Sequence, residues 1–234
     1  MEPHHTNLPS WAYPAEDDVP ESLLHLTLRT LLWQLVRRHL AAQGAGALVG
    51  SEQFIYWERD NTYRCVAPDL YVLLGWQGEA DVRVIRTWEE GVPDLAIEIV
   101  SDDHHKDYVT GPSRYARIGV RELIVIDPTT GPERHRFQVY RRAGSGDLIR
   151  VVATDASRTS SEVLGCDLVW QDVGPEGGPR VRLAIDGDWV LTEAEHERAQ
   201  KEAERAQKEA AWARARELEA ENERLRAQLR RTDD

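Results

Sequence analysis

Between Gly91 and Ser101 the chain reads Gly-Val-Pro-Asp-Leu-Ala-Ile-Glu-Ile-Val-Ser, and this stretch limits the possible folds more than any other. Leu95, Ile97 and Ile99 alternate with Asp94, Ala96 and Glu98, the period of two that a β-strand imposes, so both carboxylates share one face. Burying an unpaired carboxylate costs several kcal/mol, on the order of the stability of a whole domain. The fold must therefore bring these acids a cation, hydrogen-bond donors or a metal.

The elements around this strand follow from local pattern. Residues 1–20 are rich in Pro, His and acids without period and read as an extended arm. From Glu21 to Ala42, leucines at 23, 24, 28, 31, 32, 35 and 40 recur at helical spacing between Pro20 and Gly44, which predicts an amphipathic helix with His25 and Trp33 as packing residues. Gly44 to Gly50 reads as a Gly/Ala turn, Ser51 to Trp57 as a strand, and Tyr63 to Gly75 as a second strand broken at Pro68, with Asp69 at the break. Gln77 to Glu90 reads as a polar connection. After Ser101 a short helix is expected through Tyr115-Ala116-Arg117-Ile118, stopped by Gly119, with Pro112 near its start. Val120 to Asp127 is a nearly continuous apolar run, the pattern of a strand covered on both faces. A hairpin follows (Phe137–Arg142 and Leu148–Ala153 around Ala143-Gly144-Ser145-Gly146), and then strands in Arg158–Val173 and Val181–Asp186.

From Thr192 the composition turns to Ala, Glu, Arg, Lys and Gln without Gly or Pro, which predicts one long helix opened by a Thr192/Glu195 capping box. Ala211, Leu218 and Leu225 fall seven apart and take heptad position d, while Ala215, Asn222 and Leu229 take position a. Two readings fit: a short parallel coiled-coil dimer with Asn222 setting the register, or a solvated single helix held by i,i+4 charge pairs. The domain plan is thus an arm over 1–20, a globular domain over 21–190 and a C-terminal helix over 191–234.

Charge and composition bound the function classes. With 41 Asp and Glu against 29 Lys and Arg, the net charge of −12 argues against nonspecific adhesion to nucleic acid or to anionic membranes. A local stripe (Arg134, Arg136, Arg141, Arg142, Arg150) can still meet phosphate, although solvated strand edges account for it as well. No apolar run approaches a membrane span, and the first residues lack the pattern of a secretory signal, so a cytoplasmic protein is expected. Two cysteines, Cys65 and Cys166, make neither a disulfide framework nor a Cys-x-x-Cys metal pair.

The order of elements (helix, strand, strand with Pro-Asp, strand with Glu, helix, strand) puts Asp69 and Glu98 on adjacent central strands. Together with Ala67-Pro68-Asp69-Leu70, Pro93 to Ser101, Lys106-Asp107, Tyr115 to Leu123 and Val125-Ile126-Asp127-Pro128, it resembles the Uma-two family, described as putative restriction endonucleases, within the PD-(D/E)XK nuclease superfamily. The resemblance covers about Glu21 to Trp170. It implies an α/β fold: a restriction-endonuclease-like core with a central mixed sheet flanked by helices, to which this chain adds its long C-terminal helix.

The resemblance also implies a divalent metal, magnesium with manganese as the alternative, held by Asp69 and Glu98, with Asp94 as a second-rank ligand about 13 Å along the strand from Glu98. The motif lysine two residues after the Glu is absent, because Val100 stands there. In the family pattern that lysine moves to the following helix, where Gly111 aligns here, and Lys106, the nearest lysine, takes the catalytic role by carry-over. Arg114 can clamp a phosphate but cannot serve as a base. Each residue has a plainer reading too. Asp69 after proline can be a turn acid, Lys106 a surface charge among Asp102, Asp103 and Asp107, His104 and His105 loop histidines, and Glu52 a salt-bridge partner. The expected function is a metal-dependent endonuclease acting on DNA as a homodimer, and the rival is a noncatalytic scaffold on a degenerate nuclease core.

Overall fold

The computed structural model describes residues 22–78, 82–101, 108, 110–132, 134–173 and 178–232, with side chains of the last helix to 226. The expected arm over 1–20 and Lys106 lie outside the described residues. The chain forms two compact units, Met1–Val190 and Leu191–Asp234. Among the described residues, no helix is long and apolar enough to cross a membrane.

The first unit is mixed α/β. Its elements are α1 (Leu23–Ala42), β1 (Ala47–Gly50), β2 (Ile55–Tyr56), β3 (Cys65–Val66), β4 (Leu70–Leu74), β5 (Ile85–Arg86), β6 (Leu95–Ile99), α2 (Gly111–Ile118), β7 (Glu122–Ile126), β8 (Phe137–Arg142), β9 (Leu148–Thr154), β10 (Arg158–Ser161), β11 (Cys166–Gln171), β12 (Arg180–Ile185) and β13 (Asp188–Trp189). Six strands make the main sheet in the order β1-β4-β6-β7-β8-β9. Within it only β6 and β7 run parallel, joined through α2, and the other neighbours are antiparallel. A four-stranded sheet (β10-β11-β12-β13) and a three-stranded one (β3-β2-β5) complete the unit.

Alternation along the central strands sorts side chains into two cores. Leu70, Val72, Leu95, Ile97, Ile99, Ile124 and Ile126 face α1 and the four-stranded sheet, where they meet Leu28, Leu32, Leu168 and Leu183. Tyr71, Leu73, Ala96, Val100, Leu123 and Val125 face the other way, against Tyr115 and Ile118 of α2 and Ile55, Val66 and Ile85 of the small sheet. With both faces covered, β7 is buried along its whole length, as its unbroken apolar run requires.

Three stretches differ from their sequence pattern. Residues 47–50, expected as a turn, form the edge strand β1, paired with β4 from Ala47↔Leu74 to Gly50↔Tyr71. The glycine that suggested a turn has a packing reason, since a Cβ at Gly50 would stand 2.1 Å from the Tyr71 ring. The expected strand over 51–57 shrinks to Ile55–Tyr56, and β5 arises inside the expected polar connection because it pairs in parallel with β2. Pairing across the fold, rather than local alternation, decides such two-residue strands.

The second unit contains α3 (Glu193–Thr232). Its start is a reciprocal capping box: Thr192 N–H donates to Glu195 Oε2 at 2.8 Å, and Glu195 N–H donates to Thr192 Oγ1 at 3.3 Å. Leu218 and Leu225, on the heptad seam, are each 50% exposed.

Candidate active site

The site grows from the pairing of β4 with β6. The ladder aligns Val72↔Leu95, Tyr71↔Ala96 and Leu70↔Ile97, so one step further Asp69 comes opposite Glu98. Cβ atoms of residues directly opposite in an antiparallel pair lie about 4.5–5.5 Å apart. Pro68 ends the preceding segment, leaving Asp69 at the mouth of β4, where its Oδ2 accepts the Ile99 N–H at 2.6 Å. This bond ties the start of β4 to the end of β6. Asp69 is 9% exposed.

A second partner for Asp69 comes from α1. Ser22 caps that helix by accepting the His25 N–H at 3.2 Å, which fixes where the first turn begins and hence where His25 stands. His25 Nε2 then lies 2.6 Å from Asp69 Oδ1. Ser51 Oγ donates to the Asp69 carbonyl at 2.7 Å, and Arg29 donates to Ser51 Oγ at 3.0 Å while also pairing with Glu52. Glu52 is thus a salt-bridge partner.

Glu98 lies between Ile97 and Ile99 and so points to the α2 face of the sheet. There the Tyr115 hydroxyl, from a ring only 1% exposed, donates to Glu98 Oε1. Val100, two residues on and on the same face, is buried in the apolar cluster at 6% exposure. Where the superfamily motif has a lysine, this chain has packing.

Asp94 sits at the opposite, amino end of β6. Its Oδ2 accepts the Leu74 N–H at 2.9 Å and its Oδ1 accepts from Arg121 at 3.0 Å, so it closes the β4–β6 edge and is not brought to the Asp69–Glu98 pair. Lys106, His104 and His105 lie outside the described residues. The contacts of His25 and Tyr115 with the two acids escaped the sequence reading, since they join residues 44 and 17 positions apart and no local pattern announces them. The nearest signals were the Ser22 cap and the Tyr115-to-Gly119 helix end.

Among the described residues, no group of three or more His, Cys, Asp or Glu side chains is arranged to hold a metal. What they offer is two carboxylates, those of Asp69 and Glu98, which as hard oxygen donors would suit a hard divalent cation better than a structural zinc.

This architecture, an α/β unit with paired acids on neighbouring strands, defines a class that comparison with known proteins makes specific. The family model Uma2, described as "Putative restriction endonuclease", matches residues 16–173. The chain belongs to this family and is thereby a nuclease-family protein. Among solved structures it is similar to one titled a putative nuclease belonging to DUF820 from Anabaena variabilis ATCC 29413, with 16% identity over 62% of this chain and 75% of that one and a TM-score of 0.43. No curated protein matches it.

Proposed function

We propose that the protein is a metal-dependent endonuclease that hydrolyses phosphodiester bonds in DNA. The observation carrying this reading is the β4–β6 register, which sets Asp69, one residue before β4, level with Glu98. Like charges directly opposite in a sheet destabilise it, and a divalent cation held by the two carboxylates would remove that cost. In this reading Asp69 and Glu98 hold magnesium or manganese, and Asp94 stays structural. A divalent ion so bound lowers the pKa of a water and neutralises charge on the scissile phosphate. The chain's own residues do the positioning: the Ile99 N–H and His25 orient Asp69, and the buried Val100 keeps the α2 face dry beside Glu98. Lys106 is assigned the role of the missing motif lysine. Leu218 and Leu225, half-exposed on a heptad seam with Asn222 between them, support a homodimer through α3, which would give two sites for two strands.

The deciding assay is cleavage of plasmid DNA with magnesium by the full chain and by Glu98→Ala. Loss of about 10²-fold or more in rate is expected, the scale of removing a group that stabilises developing charge. Undiminished cleavage by the variant overturns the assignment. A second reading, a noncatalytic scaffold, draws on the burial of Val100 at the motif lysine's position. It predicts neither cleavage nor calorimetric uptake of Mn2+ by the unaltered protein. For the dimer, Leu218→Asn with Leu225→Asn should halve the sedimenting mass.

A further inference from the structure

We infer that Tyr115 is a positioning residue for the Glu98 carboxylate and that Arg142 holds Tyr115 at its station. The inference rests on the reading of Glu98 as a metal ligand.

The argument begins with α2. At eight residues it is shorter than a helix that persists alone in water, so its place is set by docking. Tyr115 and Ile118 anchor it to the core beneath. Gly119, at φ 105°, ends it in the left-handed conformation that glycine adopts without strain. The carbonyls left open at that end are taken by one guanidinium from β8. Arg142 Nε donates to Gly119 O at 3.1 Å and to Val120 O at 3.0 Å, and Nη2 donates to Ala116 O at 2.8 Å. A cation at a helix C-terminus is favoured by the helix dipole as well as by these bonds. Arg142 thereby pins the turn that carries Tyr115 to a strand of the main sheet.

What Tyr115 does there is aim a donor at one atom. Its ring is packed on all sides, so the hydroxyl has little freedom, and it meets Glu98 Oε1. A carboxylate has about four lone-pair sites, so a donor at Oε1 can set its rotation and still leave the group able to bind a cation. Groups that orient metal ligands in this way typically govern affinity and activity by about 10–100-fold.

The test is Tyr115→Phe in the full chain, which keeps the ring and removes only the hydroxyl. Calorimetric titration with Mn2+ should show binding weakened about tenfold or more. On plasmid DNA kcat should fall while KM stays near the wild-type value, and the thermal midpoint should move by only about 2–4 °C. Mn2+ affinity and kcat equal to wild type overturn the inference and leave Tyr115 a packing residue. Arg142→Ala, which keeps the hydroxyl, should raise hydrogen exchange across 111–118 and weaken Mn2+ binding in the same direction. Faster exchange with unchanged affinity overturns the Arg142 part. If the unaltered protein takes up no Mn2+, the nuclease reading fails and this inference with it, an outcome distinguished by the wild type being the protein that fails.

Discussion

The acids of the main sheet are treated in two ways. Glu122, at the amino end of β7, is 1% exposed and receives Arg141 Nε at 3.0 Å, Ser161 Oγ at 2.5 Å and the N–H groups of Glu162 and Val163 at 3.0 and 3.3 Å. Asp127, just past the other end of β7, is fully buried. It takes Arg134 through two bonds, Nε at 2.8 Å and Nη2 at 2.7 Å, along with the Thr129 N–H at 2.8 Å and the Tyr108 hydroxyl. Burial and the bond to Asp127 raise the Tyr108 phenol above its usual range, so it stays a donor, and the same carboxylate raises Arg134. At the β4–β6 end the partners are of another kind: Asp69 takes His25 Nε2 and the Ile99 N–H, and Glu98 takes the Tyr115 hydroxyl. Acids matched by guanidinium build the fold. Two acids level with each other across a strand pair cost stability unless a cation is added, and the proposed function assigns Asp69 and Glu98 to that use.

The strongest way to break this comparison is Arg134→Ala. It strands a fully buried carboxylate and should cost about 3–5 kcal/mol in urea unfolding. A loss below 1 kcal/mol would mean that Asp127 does not depend on its arginine.

Arg141→Ala should come next, at about 3 kcal/mol, the lower end of that range. Glu122 keeps the Ser161 hydroxyl and two N–H donors in the variant.

Glu98→Gln and Asp69→Asn sharpen the other side. Each removes one of two like charges at the same level of neighbouring strands while keeping its shape, so stability should change by only about 1 kcal/mol in either direction. Mn2+ uptake and DNA cleavage should be lost. A destabilisation as large as that of Arg134→Ala, measured in the same urea titration, would make these acids structural like the others.

The smallest effect concerns Cys166, which reports on the Glu122 side. Burial, then the charges of Asp167 and Glu122, push its thiol up to about 12. The native thiol should therefore resist disulfide reagents at pH 8 and react only at the unfolding rate. The unfolded thiol ionises at its ordinary value while the native one keeps its proton. This group's contribution is therefore constant below the ordinary value and falls as pH rises from there towards about 12. Fast labelling of native protein at Cys166 would contradict its burial.

Much of the fold was legible because its signals are local. Leucine spacing marked α1, Gly119 marked the end of α2, the apolar run marked β7, and Thr192 with Glu195 marked the start of α3. The alternation around Glu98 and the Pro-Asp break likewise singled out two acids and their neighbouring strands.

The rest depends on contacts that no window of sequence contains. Strand β1 hides in a Gly/Ala stretch because its glycine serves the Tyr71 ring of a partner strand. Asp94 and Glu98 look alike in the period-two pattern, and both are acids among aliphatics on one face. Only the tertiary structure separates them, by bringing Leu74 and Arg121 to the first and Tyr115 to the second. The sequence by itself determined that a carboxylate must be accommodated in a buried strand, because solvation energy depends on residue type and burial pattern. Which acid takes Arg121 and which takes Tyr115 is a matter of register and of helix docking, and both are decided by residues distant along the chain.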